Sequence, residues 1–509
     1  MRVFMTLFSF HNLSFIFLLF LFYITIFEFL RIKKHSNLSP TTYPFIGCLI
    51  SFYKNRYRLL DWYTELLSLS PTKTIVVQRL GAHRTIVTAN PRNIEYILKT
   101  NINNFPKGKP FTEILGDFLG HGIFNVDGEL WLTQRKLASH EFSTRSLREF
   151  FMNTLEEEVS ERLLPLLESL SNEKKQVVFD LQELLGKFSF NVICKFILGT
   201  NKRCSLDPSD PKSPLSRAFD VAAGISARRG AAPLYIIWKT KRWLGIGSER
   251  RLKEAVKEVH THVMEMIEEK KHNMNITGKG NCVDDLVSRL ICSGLDDKVI
   301  RDMVISFILA GKDTTSAAMT WLFWLLSHYS HIEQQIVKET ELNTKQKLDY
   351  ESLKNLEFLK ACLCESMRLY PPVAWDSKHA INDDMLPDGT IVNGGDRVTY
   401  FPYGMGRMEK LWGKDWYEFR PSRWFSEQDN NGGTMIEVSP FKFPIFQAGP
   451  RVCLGKEMAF IQMKYVVASI VHRFKIRHVS QDKPIFVPQL TAHMAGGLKV
   501  IIFKREKST

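Results

Sequence analysis

The stretch Phe446-Gln447-Ala448-Gly449-Pro450-Arg451-Val452-Cys453-Leu454-Gly455 is the most specific feature of this sequence. Each fixed residue has a physical task if a haem lies against it. Cys453 supplies a thiolate to iron. Gly449 and Gly455 lack a Cβ, so the backbone can lie close to a porphyrin. Arg451 can pair with a propionate, and Phe446 can pack on the ring near the sulfur. Leu454 onward reads as a helix, whose first N–H groups would face the sulfur and favour its anionic form. A lone cysteine between two loop glycines is ordinarily structural. Five fixed residue types at this spacing, however, arise by chance on the order of once in ten thousand such chains.

Outward from this loop the chain reads as mainly helical. Apolar residues recur at helical spacing over Leu163 to Leu185, Arg251 to Lys271, Asp296 to His328 and Leu353 to Leu369. Asp296 is a candidate N-cap for the third. Strand-like pieces are short: Thr74 to Gln78, Arg84 to Thr88, Thr390 to Val392 and Lys499 to Phe503. The polar run from Asn273 to Asn281 reads as an exposed loop. There is no internal repeat, and one large mainly α domain with small β-sheets fits best.

Three further motifs carry chemistry. Ala310-Gly311-Lys312-Asp313-Thr314-Thr315 lies inside a long apolar helix. Its glycine and β-branched threonines are poor helix formers, so a local break in the hydrogen-bond ladder is expected. Glu365 and Arg368 are three apart on one face of a helix that is otherwise apolar, which suggests a buried pair. Trp131 and Arg135 are one turn apart.

Together these motifs resemble the cytochrome P450 superfamily, whose signature F-x-x-G-x-R-x-C-x-G is complete here. The resemblance spans the whole chain and implies that fold, with haem b bound through Cys453. It implies that Asp313 and Thr314 are the acid–alcohol pair that delivers protons. It implies that Glu365, Arg368 and Arg423 form a structural network behind the cysteine loop. Trp131, Arg135 and Arg451 would reach propionates, and His379 stands where the family often has another propionate donor. No G-x-G-x-x-G fingerprint opens a helix after a strand, so NADPH would act through another protein. The resemblance points to NADPH–cytochrome P450 reductase, with Arg135, Lys136, Arg145, Arg148, Lys442 and Lys456 as a candidate docking patch.

From Val3 to Phe27 there is no charged side chain, and Arg31, Lys33, Lys34 and His35 follow. This reads as a retained anchor over 1–30, with the body on the cytosolic side of the endoplasmic reticulum membrane. A basic, proline-bearing linker over 31–47 leads to a catalytic domain over 48–509. The net charge is +14, but the cations are scattered and not interleaved with stacking aromatics, which argues against nucleic acid. Eight cysteines are too sparse for a disulfide scaffold and read as reduced. A monomer is expected.

The run from Leu369 to Ala380, with Leu386-Pro387-Asp388-Gly389-Thr390 and Phe401 to Arg407, resembles the plant fatty-acid omega-hydroxylases. That branch also includes oxidases of jasmonoyl–amino-acid conjugates. A haem-thiolate lyase or isomerase usually lacks the Asp–Thr pair, and a haem carrier would not need it. Phe105, Phe111, Leu115, Phe118, Phe307, Val373, Ala374, Trp375 and Ala492 to Ala495 are candidate walls for an apolar chain.

Overall fold

The computed structural model describes residues 22, 40–43, 45–172, 176–199, 204–232, 234–276, 285–343, 348–426, 435–480 and 482–506. The expected anchor and most of the linker lie outside them. No helix among the described residues is long and apolar enough to cross a membrane.

Two small strands, β1 (Thr74–Val77) and β2 (Thr85–Thr88), form an antiparallel hairpin. Helices α1 (Gly108–Leu119), α2 (Gly128–Ser143), α3 (Leu181–Leu198) and α4 (Pro214–Ala231) follow. The central helix α5 runs from Asp297 to Leu326. Asp296 caps it by accepting from the Lys298 N–H at 2.9 Å. Helix α6 (Glu357–Leu369) precedes β3 (Asp376–His379) and β4 (Arg397–Tyr400). Helix α7 (Lys456–Arg473) follows the cysteine loop.

The strand order is β1-β2-β4-β3, with β2 and β4 parallel and β3 antiparallel to β4. The apolar residues of this sheet form one core cluster with Tyr63, Phe105 and Phe401. A larger cluster surrounds α5, where the fully buried Trp321 stacks on Tyr370 at 4.1 Å between ring centroids.

Four sequence expectations are corrected. The helix read from Leu163 to Leu185 is two helices. One ends at Asn172, and α3 starts afresh at Leu181 because Asp180 accepts from the Glu183 N–H and Phe179 pairs with Val500. The helix read from Leu353 is also divided, into Tyr350–Lys354 and α6. Glu339 accepts the Phe358 and Leu359 N–H groups at the start of α6 and so fixes that restart. Asn273 to Ile276 is helical, as the end of a helix over Gly247–Ile276. Cys292, exposed on a helix end, is disulfide-bonded.

Candidate functional site

The cysteine loop is built from two short turns, Pro444–Phe446 and Gly449–Arg451. The Cys453 N–H donates to Phe446 O at 2.8 Å and closes the loop. Gly449 has φ +66°, and a Cβ there would collide with Leu98 O. Packing on Leu98 therefore requires a glycine here. Gly455 is the reverse: a Cβ there would meet nothing within 4 Å, and the residue borders a cavity. The helix after the loop begins at Lys456, two residues later than read.

Cys453 opens on this cavity of about 510 Å³. Burial raises its thiol pKa, while the Gly455 N–H, Arg135 and Lys456 pull it down. Phe446 lines the same space and packs on Phe460 at 5.2 Å. Trp131, Arg135 and Arg451 share one wall. Arg451 donates to Asp127 Oδ1 at 2.6 Å and sits 4.3 Å from the Trp131 ring centroid. Arg135 faces inward, which removes it from the expected docking patch. Its pKa is lowered by burial and raised by Cys453. Arg145 and Arg148 of that patch pair with Glu149 and Glu457.

His379 does not reach the cavity lining. Asp376, Ser377 and Lys378 of β3 all line the cavity, and His379 alone of the four does not. His379 Nδ1 lies 2.6 Å from Lys107 O and the ring contacts His83, while its buried Nε2 has no partner. In its place the cavity meets a cluster that the sequence reading missed. Asp376 accepts from Lys107 at 2.8 Å, Gln447 at 2.8 Å, Tyr400 at 3.0 Å and Lys378 at 3.2 Å. Burial would raise Asp376, but Lys107 and Lys378 hold it well below the usual carboxylate range. Burial pushes Lys378 down to about 7, against the pull of Asp376.

Helix α5 is continuous through Ala310–Thr315, against the expected break. The threonines satisfy themselves along the helix: Thr314 Oγ1 donates to Ala310 O at 2.6 Å and Thr315 Oγ1 to Gly311 O at 2.8 Å. Gly311 is required by packing, since a Cβ would strike Ile193 on α3. Thr314 lines the cavity, but Asp313 does not. Asp313 lies 3.2 Å from Lys312 Nζ, which also pairs with Asp220 on α4. The acid and the alcohol therefore face different surroundings.

Glu365, Arg368 and Arg423 come together behind the loop. Arg368 makes a two-pronged contact with Glu365, both bonds 2.8 Å, and Arg423 Nε donates to Glu365 Oε1 at 2.9 Å. Trp424 Nε1 and the Arg420 N–H complete the carboxylate. The remaining Arg368 donors meet Gly406 O, Trp416 O and Glu418 O. Trp424 packs on Phe443 at 4.8 Å, at the entry to the cysteine loop.

Of the expected apolar walls, Phe111, Leu115, Phe307, Val373 and Trp375 line the cavity. Phe105 and Phe118 belong to the core instead, and Pro488 to Thr491 take the place of Ala492 to Ala495.

These residues fit a haem on their own chemistry. Among the described residues no three His, Cys, Asp or Glu side chains cluster as metal ligands, so a metal on Cys453 would bring its remaining ligands with it. Gly455 leaves open space beside the sulfur, aromatic faces flank it, and the cationic wall matches a ring that carries carboxylates. Fold and cavity together define a haem-thiolate protein.

A family model described as cytochrome P450 matches residues 38–499. The chain is 58% identical to cytochrome P450 94B1 of Arabidopsis thaliana over 491 residues, 95% of this chain and 96% of that one. It is 57% identical to cytochrome P450 94B3 of the same plant over 97% of this chain and 98% of that one. It is 45% identical to cytochrome P450 94A1 of Vicia sativa over 92% of this chain and 91% of that one. The chain belongs to the cytochrome P450 family. It is a monooxygenase with haem b on a cysteine thiolate, and its electrons come from NADPH through a reductase.

Proposed function

We propose that this enzyme hydroxylates the terminal (omega) carbon of fatty acids, using O2 and electrons from NADPH–cytochrome P450 reductase. The observation that carries this reading is the cavity itself. Phe111, Leu115, Phe307, Val373 and Trp375 give it apolar walls suited to an alkyl chain, with Cys453 and Thr314 on its lining. The sequence resemblance of the Leu369 to Ala380 region supports the same substrate class.

In this proposal Cys453 is the iron ligand. Trp131, Arg135 and Arg451 hold the propionates, and Lys378 takes the part first expected of His379. Haem held this way supplies dioxygen activation and attack on a C–H bond. The protein's own task is positional. A terminal methyl has stronger C–H bonds than the methylenes behind it, so the walls must present the chain end first. Thr314 Oγ1 handles the proton at the cavity. Asp313, held by Lys312, supplies the acid behind it. Glu365, Arg368 and Arg423 fix the loop that carries Cys453.

The same proposal gives the catalytic domain residues 48–509, a membrane anchor over 1–30 in the endoplasmic reticulum, and a monomeric state. Exposed Ile236, Trp243 and Leu244 beside Lys239 and Arg242 support contact with a membrane. A second reading, oxidation of jasmonoyl–amino-acid conjugates, is favoured by Ser226. Its buried Oγ has no partner and the residue lines the cavity, where a substrate amide would satisfy it.

Product analysis with reconstituted reductase and NADPH tests the choice. Mid-chain fatty acids giving terminal hydroxy acids by mass spectrometry would support the first reading. Turnover of the conjugate alone would establish the second.

A further inference from the structure

Six cationic side chains line the cavity, and they divide into two groups. Lys107 and Lys378 share Asp376, and Arg451 is paired with Asp127. Arg79, Arg135 and Arg397 have no ion-pair partner among the described residues. Arg135 belongs to the surroundings of Cys453. Arg397 stands on β4 and Arg79 just beyond the end of β1 instead.

The register of the small sheet explains their meeting. Val77 pairs with Thr85, and Thr85 pairs with Arg397, so one row crosses the three strands. Arg79 follows Val77 by two positions, at the same end of the row. Val77, Arg79, Thr85 and Arg397 all line the cavity. Arg79 is oriented by its guanidinium lying 4.1 Å from the Phe52 ring centroid.

Both arginines carry a buried nitrogen without an acceptor: Arg79 Nη1 and Arg397 Nε. Leaving such donors unmatched is costly unless a ligand completes them. Nearby carboxylates are already taken: Asp396 by Arg84, Glu113 by Lys239, and Asp61 by the Tyr403 hydroxyl. Tyr63 also lines the cavity, and both arginines act electrostatically on its hydroxyl. Burial raises the pKa of that hydroxyl, which keeps it a neutral donor.

We propose that Arg79 and Arg397, with the Tyr63 hydroxyl, form the anion subsite that takes the carboxylate of the substrate. This rests on the fatty-acid reading above and names the residues that would orient the chain. A carboxylate fixed on the sheet sends the alkyl end toward Cys453, which is the orientation terminal oxidation demands.

The test uses the purified haem-loaded full chain and two probes of equal length, dodecanoic acid and its methyl ester. Dissociation constants are read from the substrate-induced shift of the haem absorption band, and haem content per chain is measured alongside. Arg79→Gln and Arg397→Gln are each expected to weaken the acid by about 10- to 100-fold, the range of a hydrogen bond to a charged group. The ester should change by less than about threefold, haem content should hold, and Arg79→Lys should restore part of the acid affinity. Equal losses for acid and ester, no loss for either, or a fall in haem content in place of acid affinity would overturn the subsite. A wild-type protein that shifts with neither probe would instead remove the fatty-acid reading and the subsite with it.

Discussion

The network at Glu365 and the cavity wall at the small sheet are both rich in arginine, but they treat it in opposite ways. Behind the cysteine loop, every oxygen of Glu365 and every donor of Arg368 that points inward is answered within the chain. At the sheet, Arg79 and Arg397 each keep a buried nitrogen unanswered. Charge matched internally holds the fold. Charge left unmatched on a cavity wall is completed from outside, and that contrast separates support from recognition.

The largest expected effect comes from the cavity side. Cys453→Ser should abolish the thiolate signature of the reduced carbon monoxide complex and all NADPH-dependent product. Retention of either would mean that Cys453 is not the iron ligand.

From the network side, Glu365→Gln leaves Arg368 buried without its counter-charge, while Arg423 keeps Asp415. Breaking a buried pair in this way costs about 3–5 kcal/mol. The expected result is a lower thermal midpoint and a smaller haem-loaded fraction, with the acid-over-ester preference of the surviving enzyme unchanged. A change in that preference would blur the distinction between the two regions.

His379 tests the fold at acid pH. Burial lowers its pKa to about 4, partly offset by Lys107 O. The unfolded chain, with a histidine pKa of about 6.5, therefore binds a proton that the folded chain refuses. The stability from the neutral ring is present above that value and is lost as pH falls through the window toward 4. His379→Gln should flatten this loss, which in the parent reaches at most about 3 kcal/mol. Identical acid unfolding curves for parent and variant would contradict it.

The smallest effect is kinetic. Thr314→Ala should leave substrate binding intact while lowering product per NADPH consumed by about tenfold, less than a fully placed proton donor contributes because water can substitute. An unchanged ratio would take Thr314 out of proton handling.

The cysteine loop was legible because its residues are contiguous and each has one task. The Glu365–Arg368 pair was legible because residues three apart on a helix share a face. His379 was expected at the cavity, but Lys378, one position earlier on β3, is the residue that reaches the lining. Asp376 with Lys107, separated by 269 positions, left no local signal. Gly449 was read as making room for a ring and Gly311 as a break, and each makes room for protein, at Leu98 and Ile193. Residue type shows that close approach is needed, but not by what.

The parallel pairing of β2 with β4 also bears on how the protein is made. Arg84 and Asp396, joined at this end of the sheet, are 312 positions apart. At the usual pace of synthesis the β1–β2 hairpin waits about 15–60 s before β4 leaves the ribosome. Throughout that interval its apolar edge is open to pairing with a neighbouring nascent chain. The arginine-bearing end of the cavity is thus among the last parts of the molecule to be completed, and slow translation or crowded polysomes should lower the yield of folded enzyme through this edge.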